Sequence, residues 1–280
     1  KIIALLASEE PVWGESELKC ARLALENVTF SYDDKRDALK NVTMDFPERG
    51  MTAIVGRSGC GKRTVVNMLT GARRPNEGNV LAGGDDIKTL SRQSYYSHIA
   101  SVSYNTYIFN DTVRANFELA KKDVTDGEIW SALDKVNLSD FIRENGGLEK
   151  VITEDANNVS GGQKQRLALA VNLVADKDVY IFDEATSNID IESEAVIMKN
   201  VVEMSREKSV IVISHRLENV VPADNIYYME NGEVRESGTH ASLMERGGGY
   251  AKLYAAQKEL EEGYKSCAGT PLKTAAEVRA

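Results

Sequence analysis

The amino-acid sequence predicts an α/β fold in which helices cover both faces of a sheet of parallel strands. Residues 179–182 and 210–213 are continuous apolar runs, which is typical of strands buried on both sides. The helical pattern of Ile191–Met204 supplies the crossover that two parallel strands need. A third short strand, at residues 52–55, leads into a glycine-rich loop and then a helix that includes residues 65–69. This alternation of strands and helices is typical of a parallel sheet.

Near the start of the chain the pattern changes to strands in which apolar and polar residues alternate. The apolar positions form two sets: Leu23, Leu25, Val28 and Phe30, and then Val42, Met44 and Phe46. Such alternation is typical of antiparallel strands that bury one face. Asn231 and Gly232 predict a hairpin turn between a strand at residues 226–229 and one at Val234.

The middle of the chain is predicted to be helical. Thr125 and Glu128 have the spacing of a capping box, and Ile129, Leu133 and Val136 follow on one helical face. A second helix is predicted over residues 164–175. These helices precede the apolar strand at residues 179–182.

Composition and charge exclude several functional classes. The 280 residues include 34 Lys and Arg against 43 Asp and Glu, a net charge of −9, which argues against a nucleic-acid binder and a polybasic membrane-surface protein. The longest apolar runs are far shorter than the roughly 18 residues that cross a bilayer. Three cysteines without a C-x-x-C spacing argue against a disulfide framework and a structural zinc site, and they favour a reducing compartment.

The glycine-rich segment has the spacing of a phosphate-binding loop. It consists of Gly56, Arg57, Ser58, Gly59, Cys60, Gly61, Lys62, Arg63 and Thr64. Glycines allow successive backbone N–H groups to turn toward one anion, and the helix that follows adds its positive end. Lys62 is then placed to reach the β- and γ-phosphates of a nucleotide. A glycine turn before an ordinary helix is the alternative interpretation.

Two carboxylates, Asp183 and Glu184, follow the apolar strand at residues 179–182. Ligands bind at the carboxyl ends of strands in open α/β sheets, so this position favours a site over a solvated acidic turn. Asp183 can hold the water shell of a metal ion, and Glu184 can polarise an attacking water.

A second candidate anion site lies before the helix at residues 164–175. It consists of Ser160, Gly161, Gly162 and Gln163. A hydroxyl and free N–H groups at a helix N-terminus can bind an anion. An ordinary N-cap is the alternative, and it is disfavoured because the segment lies just before the strand that carries the two carboxylates.

In this order, the motifs resemble those of the nucleotide-binding domain of an ABC transporter. The glycine-rich loop resembles the Walker A motif, residues 159–163 the signature motif, and Asp183 with Glu184 the end of the Walker B motif. Three further matches are the D-loop, the switch histidine and the aromatic that stacks on adenine: Ser187 to Asp190, His215, and Tyr32. The resemblance covers roughly residues 23–253. Residues 108–116 and 231–240 resemble the exporter branch, as a half-transporter.

The resemblance implies a P-loop NTPase (RecA-like) core with an antiparallel β-subdomain and an inserted helical subdomain at about residues 105–158. We expect this domain to span residues 23–255. Residues 1–22 are then expected to form a tether, partly helical, that follows a transmembrane domain on the cytoplasmic face of a membrane. Residues 256–280 are expected to be a charged, partly disordered tail.

The implied function is an ATP-hydrolysing motor in which two domains enclose ATP. Lys62, Glu184 and His215 would be catalytic, and the phosphate loop with Tyr32 would bind ATP. The partner domain's ATP would be contacted by a second set: Ser160, Gly161, Gly162, Gln163 and Asp190. A regulatory nucleotide-binding subunit with little ATPase activity is the alternative. A third possibility, an ABC-type ATPase that acts on DNA or ribosomes, is disfavoured by the acidic charge.

Two departures from the family pattern concern the same ion, Mg²⁺. Arg63 replaces the hydroxyl residue, and Tyr104 falls where the family has the Q-loop glutamine. Asp183 then remains as a weak ligand through water. We expect the Arg63 guanidinium to neutralise phosphate charge in place of the ion, with reduced turnover. Drift is the alternative for each residue. Glu184 and His215 are intact, so the usual losses of an inactive site are absent. The Walker A site is expected to be weak, whereas Ser160 to Gln163 could serve a partner's site. This combination favours a heterodimer with one strong and one weak site, since a homodimer would carry the defect twice.

Overall fold

The computed structural model describes residues 11–33, 36–104, 107–153 and 158–268, with side chains as far as Leu260. The helix expected near the start of the chain falls on residues 1–10, outside the described residues. Residues 269–280 of the expected tail lie outside them as well.

The described residues form ten strands in two sheets. In chain order the strands are β1 Leu23–Ser31, β2 Asp37–Phe46, β3 Gly50–Val55, β4 Glu77–Ala82, β5 Asp85–Asp86, β6 Ile99–Ser103, β7 Val179–Asp183, β8 Ser209–Ile213, β9 Asn225–Glu230 and β10 Glu233–Gly238. One sheet has the order β2-β1-β4-β5, and the other has the order β10-β9-β3-β8-β7-β6.

The six-stranded sheet is parallel except at the edge formed by β10, which pairs antiparallel with β9. Every residue of β7 and β8 is buried, which confirms that their continuous apolar runs are covered on both faces. The predicted hairpin is confirmed, with Asn231 and Gly232 at φ 53° and 84° in the turn. Strands β3, β8 and β7 are adjacent, so their carboxyl ends lie along one edge of the sheet.

The four-stranded sheet is antiparallel, and its apolar cluster packs against the helix Lys62–Leu69. All seven predicted apolar positions of β1 and β2 are buried, which confirms the alternating pattern. A bond between the sheets joins the backbone N–H of Asp45 to Tyr227 Oη at 2.9 Å.

Nine α-helices are described: α1 Lys62–Leu69, α2 Arg92–His98, α3 Val113–Ala120, α4 Asp126–Lys135, α5 Ser139–Glu144, α6 Gly161–Val174, α7 Ile191–Met204, α8 His240–Arg246 and α9 Gly249–Ala268. The predicted capping box of Thr125 and Glu128 starts α4. Helix α6 is the one predicted over residues 164–175. It begins at Gly161, three residues earlier than its apolar pattern indicates, because Ser160 caps it. Helix α7 has the predicted bounds.

The segment before β1 is docked on the domain. The backbone of Gly14 and Ser16 bonds to residues 89–91, with Gly14 N–H donating to the Leu90 carbonyl at 2.9 Å. The Trp13 ring packs between Tyr95 and Tyr96, with centroids 5.3 and 5.6 Å away. The tether assignment stays a prediction.

The last helix continues through residue 256, where the domain was expected to end, and reaches Ala268. The domain boundaries therefore stay a prediction. In the described part of the chain, none of the helices combines the length and apolar content that crossing a membrane requires.

Candidate functional site

A cleft of about 620 Å³ opens at the carboxyl edge of the six-stranded sheet. Its walls include the glycine-rich loop and four of the other predicted residues, namely Tyr32, Asp183, Glu184 and His215. The loop residues in this lining are Ser58, Gly59, Gly61, Lys62, Arg63 and Thr64, and Gly56, Arg57 and Cys60 do not line the cleft. The fold thus brings together residues that are more than 180 positions apart in the chain.

The loop is shaped to hold an anion at the start of α1. Gly61 adopts φ 110°, and a Cβ there would lie 2.8 Å from the Ala38 carbonyl oxygen, so a side chain is excluded. A Cβ on Gly59 would meet no atom within 4 Å, which leaves the space above the loop open. Because Gly61 gives α1 no side-chain cap, the first-turn N–H groups point toward this space. These features fit a nucleotide phosphate.

Lys62 is held by the loop itself. Its residue is 6% exposed, and its Nζ donates to the carbonyl of Gly56 at 2.7 Å and to that of Arg57 at 3.2 Å. Cys60 is also buried, with its Sγ 4.0 Å from Lys62 Nζ. The ammonium is therefore held close to the backbone of the loop, and its positive charge is of the sign that an anion at this loop requires.

Arg63 forms an ion pair with the carboxylate predicted to serve a metal. Its Nη1 lies 2.8 Å from Asp183 Oδ2, and the side chain of Asp183 is 4% exposed. The guanidinium also lies over the Tyr104 ring, 5.5 Å from its centroid. Burial raises the pKa of the Asp183 carboxyl above its usual range, and the charge of Arg63 partly offsets that rise. The two departures from the family pattern, Arg63 and Tyr104, therefore contact each other, and Arg63 also contacts Asp183.

Glu184 and His215 are in direct contact, with Oε1 and Nε2 2.7 Å apart. Glu184 has φ 55°, a conformation that costs a non-glycine residue energy. Its backbone N–H donates to the Ile213 carbonyl at 2.9 Å, which holds it in place at the end of the neighbouring strand. A carboxylate in contact with an imidazole is an arrangement suited to general acid–base chemistry.

Tyr32 lies on the cleft wall, and the residue is 57% exposed. Its Oη is 3.2 Å from Thr64 Oγ1 and accepts a bond from Asn67 Nδ2 at 3.0 Å. The ring also packs edge-on against Phe30, with centroids 4.9 Å apart. An exposed aromatic ring beside the loop is suited to stacking on a base.

The second predicted anion site does not line the cleft, among the residues that the structure describes. Ser160 and Gln163 form a capping box, in which Gln163 N–H donates to Ser160 Oγ at 3.2 Å and Ser160 N–H donates to Gln163 Oε1 at 2.8 Å. A Cβ on Gly162 would lie 2.9 Å from the Asn188 carbonyl oxygen, so the helix start packs against the D-loop backbone. A Cβ on Gly161 would meet no atom within 4 Å.

Asp190 caps α7 and lies at the end of that same loop. Its Oδ1 accepts from the backbone N–H of Ser193 at 2.8 Å, and this bond lowers the pKa of the Asp190 carboxyl. The residues predicted for a partner's ATP therefore lie outside the cleft lining. Most of those predicted for this chain's own ATP line the cleft, and the exceptions are Gly56, Arg57, Cys60 and Tyr104.

Sequence reasoning missed two buried polar residues beside the site, Gln165 and Glu194. Gln165 Nε2 donates to the Glu184 carbonyl at 3.4 Å, and its Oε1 accepts from Asn188 N–H at 3.2 Å. A polar residue within a helix carries no sequence signal of burial. Sequence reasoning also missed that the hairpin turn at Asn231 forms part of the cleft wall.

A family model described as "ABC transporter" matches residues 39–187, just over half of the chain. The chain belongs to the ABC transporter family. The matched range runs from before the Walker A loop to the D-loop, so it contains the loop, the signature motif and both Walker B carboxylates.

Several relatives of this ABC domain match most of its length. An ABC transporter ATP-binding protein of Haemophilus influenzae is 40% identical over 241 residues, or 86% of this chain and 43% of that protein. The ATP-dependent lipid A-core flippase of Photorhabdus laumondii is 41% identical over 249 residues, 87% and 43% of the two chains. The mitochondrial iron-sulfur clusters transporter ATM1 of Kluyveromyces lactis is 36% identical over 263 residues, 92% and 36% of the two chains. The chain thus spans less than half the length of these relatives.

The solved structure of a bacterial Atm1-family ABC exporter with ATP bound superposes with a TM-score of 0.85 at 29% identity. The match covers 91% of this chain and 46% of that one. The predicted α/β fold of the P-loop NTPase class is therefore confirmed, and the chain is a nucleotide-binding domain of the exporter type.

Proposed function

We propose that this chain binds and hydrolyses ATP as the motor domain of an ABC exporter, and that nucleotide-driven pairing of two such domains is coupled to transport. The observation that carries the proposal is the convergence of Lys62, Glu184 and His215 on one cleft beside the phosphate loop. Three groups with complementary charges in one cleft suit phosphoryl transfer to water.

In the proposed reaction, the first-turn N–H groups of α1 and the Lys62 ammonium hold the phosphates. Glu184 accepts a proton from the water whose oxygen bonds to the γ-phosphorus. The bond from that phosphorus to the β–γ bridging oxygen breaks, and its electron pair leaves with ADP, so the products are ADP and inorganic phosphate. His215 lies beside Glu184, where its Nε2 can turn to a γ-phosphate oxygen. Tyr32 offers its exposed ring to adenine.

The residues beside the loop fit Mg²⁺ poorly, since this ion requires several oxygen ligands. Arg63 holds Asp183 Oδ2 at 2.8 Å, and the Tyr104 ring lies on the other side of the guanidinium. In the proposed site the guanidinium neutralises phosphate charge where the family pattern has a metal ligand. We expect hydrolysis to be slowed by Arg63 and Tyr104.

The proposed partners are a second nucleotide-binding domain and a transmembrane domain, at the cytoplasmic face of a membrane, with no nucleic acid. Ser160, Gly161, Gly162, Gln163 and Asp190 lie outside this chain's cleft lining and are free to contact a nucleotide held by another chain. A heterodimer is favoured over a homodimer because a partner with intact metal ligands would supply one strong site.

A second candidate function is a regulatory nucleotide-binding subunit with little ATPase activity of its own. The observation that favours it is the Arg63–Asp183 ion pair, which occupies the carboxylate of the Walker B motif. Intact Glu184 and His215 in contact oppose it.

The test is to titrate the chain with ATP by calorimetry, once with excess Mg²⁺ and once with EDTA, and then to measure hydrolysis against a Glu184→Gln control. Equal ATP affinity in both buffers is expected, together with slow hydrolysis that the control loses. Binding without any hydrolysis above the control would favour the regulatory subunit. Strictly Mg²⁺-dependent binding would overturn the role given to Arg63, and absence of binding would overturn the proposal.

A further inference from the structure

Glu194, on the first turn of α7, is a buried acidic residue that the proposed hydrolysis does not use. Its residue is only 4% exposed. An ionised carboxylate is costly to bury unless it is paired and hydrogen-bonded, so its partners indicate what it stabilises.

The three partners of Glu194 come from the two segments that carry the proposed catalytic pair. Thr186 Oγ1 donates to Glu194 Oε1 at 2.7 Å, and Asn219 Nδ2 donates to the same oxygen at 2.8 Å. Arg216 Nη1 donates to Oε2. Charge-assisted bonds of this kind are the stronger class of protein hydrogen bonds.

These bonds close a ring of contacts that includes the catalytic pair. Thr186 follows Glu184 by two residues, and Arg216 follows His215 directly. Glu184 and His215 are themselves 2.7 Å apart. The two segments are therefore joined once at the catalytic side chains and a second time through the Glu194 carboxylate.

The same helical turn carries Asp190, which is proposed to serve the nucleotide of a partner. Asp190 accepts from the N–H of Ser193 through its side chain and from the N–H of Glu194 through its carbonyl, the latter at 2.9 Å. A shift of Asp190 on pairing would thus move Glu194 with it.

We propose that Glu194 is a positioning residue that holds His215 against Glu184 through Arg216 and Thr186, and that it links this pair to Asp190. The proposal rests on the proposed function for its kinetic consequence. It acts on the hydrolytic step and leaves nucleotide affinity unchanged, because Glu194 does not line the cleft.

The variant that tests this is Glu194→Gln, which keeps the shape and removes the charge that binds Arg216. Glu203→Gln is the matched control, because Glu203 is exposed on the same helix. If Glu194→Gln does not fold, Arg216→Lys is measured in its place, since it keeps the charge and shortens the donor.

The first measurement is the ring resonance of His215 in the full chain, which contains three histidines. A His215→Gln variant assigns the signal. We expect Glu194→Gln to move the His215 resonance and leave those of His98 and His240, while Glu203→Gln moves none. An unmoved His215 signal would overturn the proposal, as would a shift of all three with a lowered melting temperature.

The second measurement is hydrolysis at varied ATP concentration. Glu194→Gln is expected to lower kcat at least tenfold with KM changed less than twofold, and Glu203→Gln to change neither. An equal loss in ATP affinity would overturn the positioning role. If the unmodified chain hydrolyses no ATP above the Glu184→Gln control, the proposed function fails, and the His215 resonance still decides the role of Glu194.

Discussion

Arg63→Ser is the substitution that most directly distinguishes a site in which the Arg63 guanidinium neutralises phosphate charge from a site that uses a metal ion. It removes the charge that lies 2.8 Å from Asp183 Oδ2, and it supplies the hydroxyl that the family pattern has at this position. We expect the variant to bind ATP weakly in EDTA and to recover affinity when Mg²⁺ is added. The unmodified chain is expected to bind equally in both.

The magnitude follows from the contacts of the guanidinium. A hydrogen bond to a charged group contributes about 1.5–3 kcal/mol, which corresponds to roughly 10- to 150-fold in Kd. The expected weakening in EDTA is therefore about tenfold or more.

The assay is calorimetric titration of both proteins in Mg²⁺ and in EDTA. Arg57→Ser is the matched control. Arg57 is an exposed arginine in the same loop, so its substitution removes the same charge and leaves the Arg63–Asp183 pair in place. An Arg63→Ser chain that binds ATP in EDTA as tightly as the unmodified chain would refute the reasoning. Equal weakening by Arg57→Ser would show a general effect of net charge.

Three further predictions concern the stability of the free chain, each measured as the midpoint of urea unfolding. Asp183→Asn is expected to raise the midpoint, because burial penalises this carboxylate more than Arg63 compensates it; a lower midpoint would show that the ion pair dominates. Gly162→Ala is expected to lower the free energy of unfolding by about 1–3 kcal/mol, since the new Cβ would lie 2.9 Å from the Asn188 carbonyl oxygen. An unchanged midpoint would contradict this. Trp13→Ala is expected to lower the free energy of unfolding by about 2 kcal/mol, because the Trp13 ring packs on two tyrosines. This is roughly half the effect of the same substitution in a fully buried core. An unfolding midpoint equal to that of the unmodified chain would mean that the docked segment adds no stability.

Local signals predicted most of the elements that carry the site. The capping box at Thr125, the turn at Asn231 and the buried runs of β7 and β8 depend on residues a few positions apart, so their chemistry is visible in the sequence. The apolar periodicity predicts a start for α6 that is three residues too late, because the periodicity begins only after the polar cap formed by Ser160.

Contacts between distant segments escaped sequence reasoning. The pairing of Arg63 with Asp183 joins residues 120 positions apart, and the burial of Glu194 depends on Arg216 from another strand's end. The docking of Trp13 on α2 likewise requires two segments that are separate in the chain. No propensity or spacing rule reports such contacts, because they depend on how strands and helices pack.

By itself, the sequence determined the phosphate loop, the order of strands and helices, and the acidic and histidine residues available for chemistry, because glycine spacing and apolar periodicity act over short stretches of chain. The tertiary structure decided which of these residues meet. It alone put the Arg63 guanidinium on Asp183, Glu184 on His215, and a buried Glu194 between their segments. Distance and burial decide the strength of a charge interaction, and both arise only when segments remote in sequence pack together.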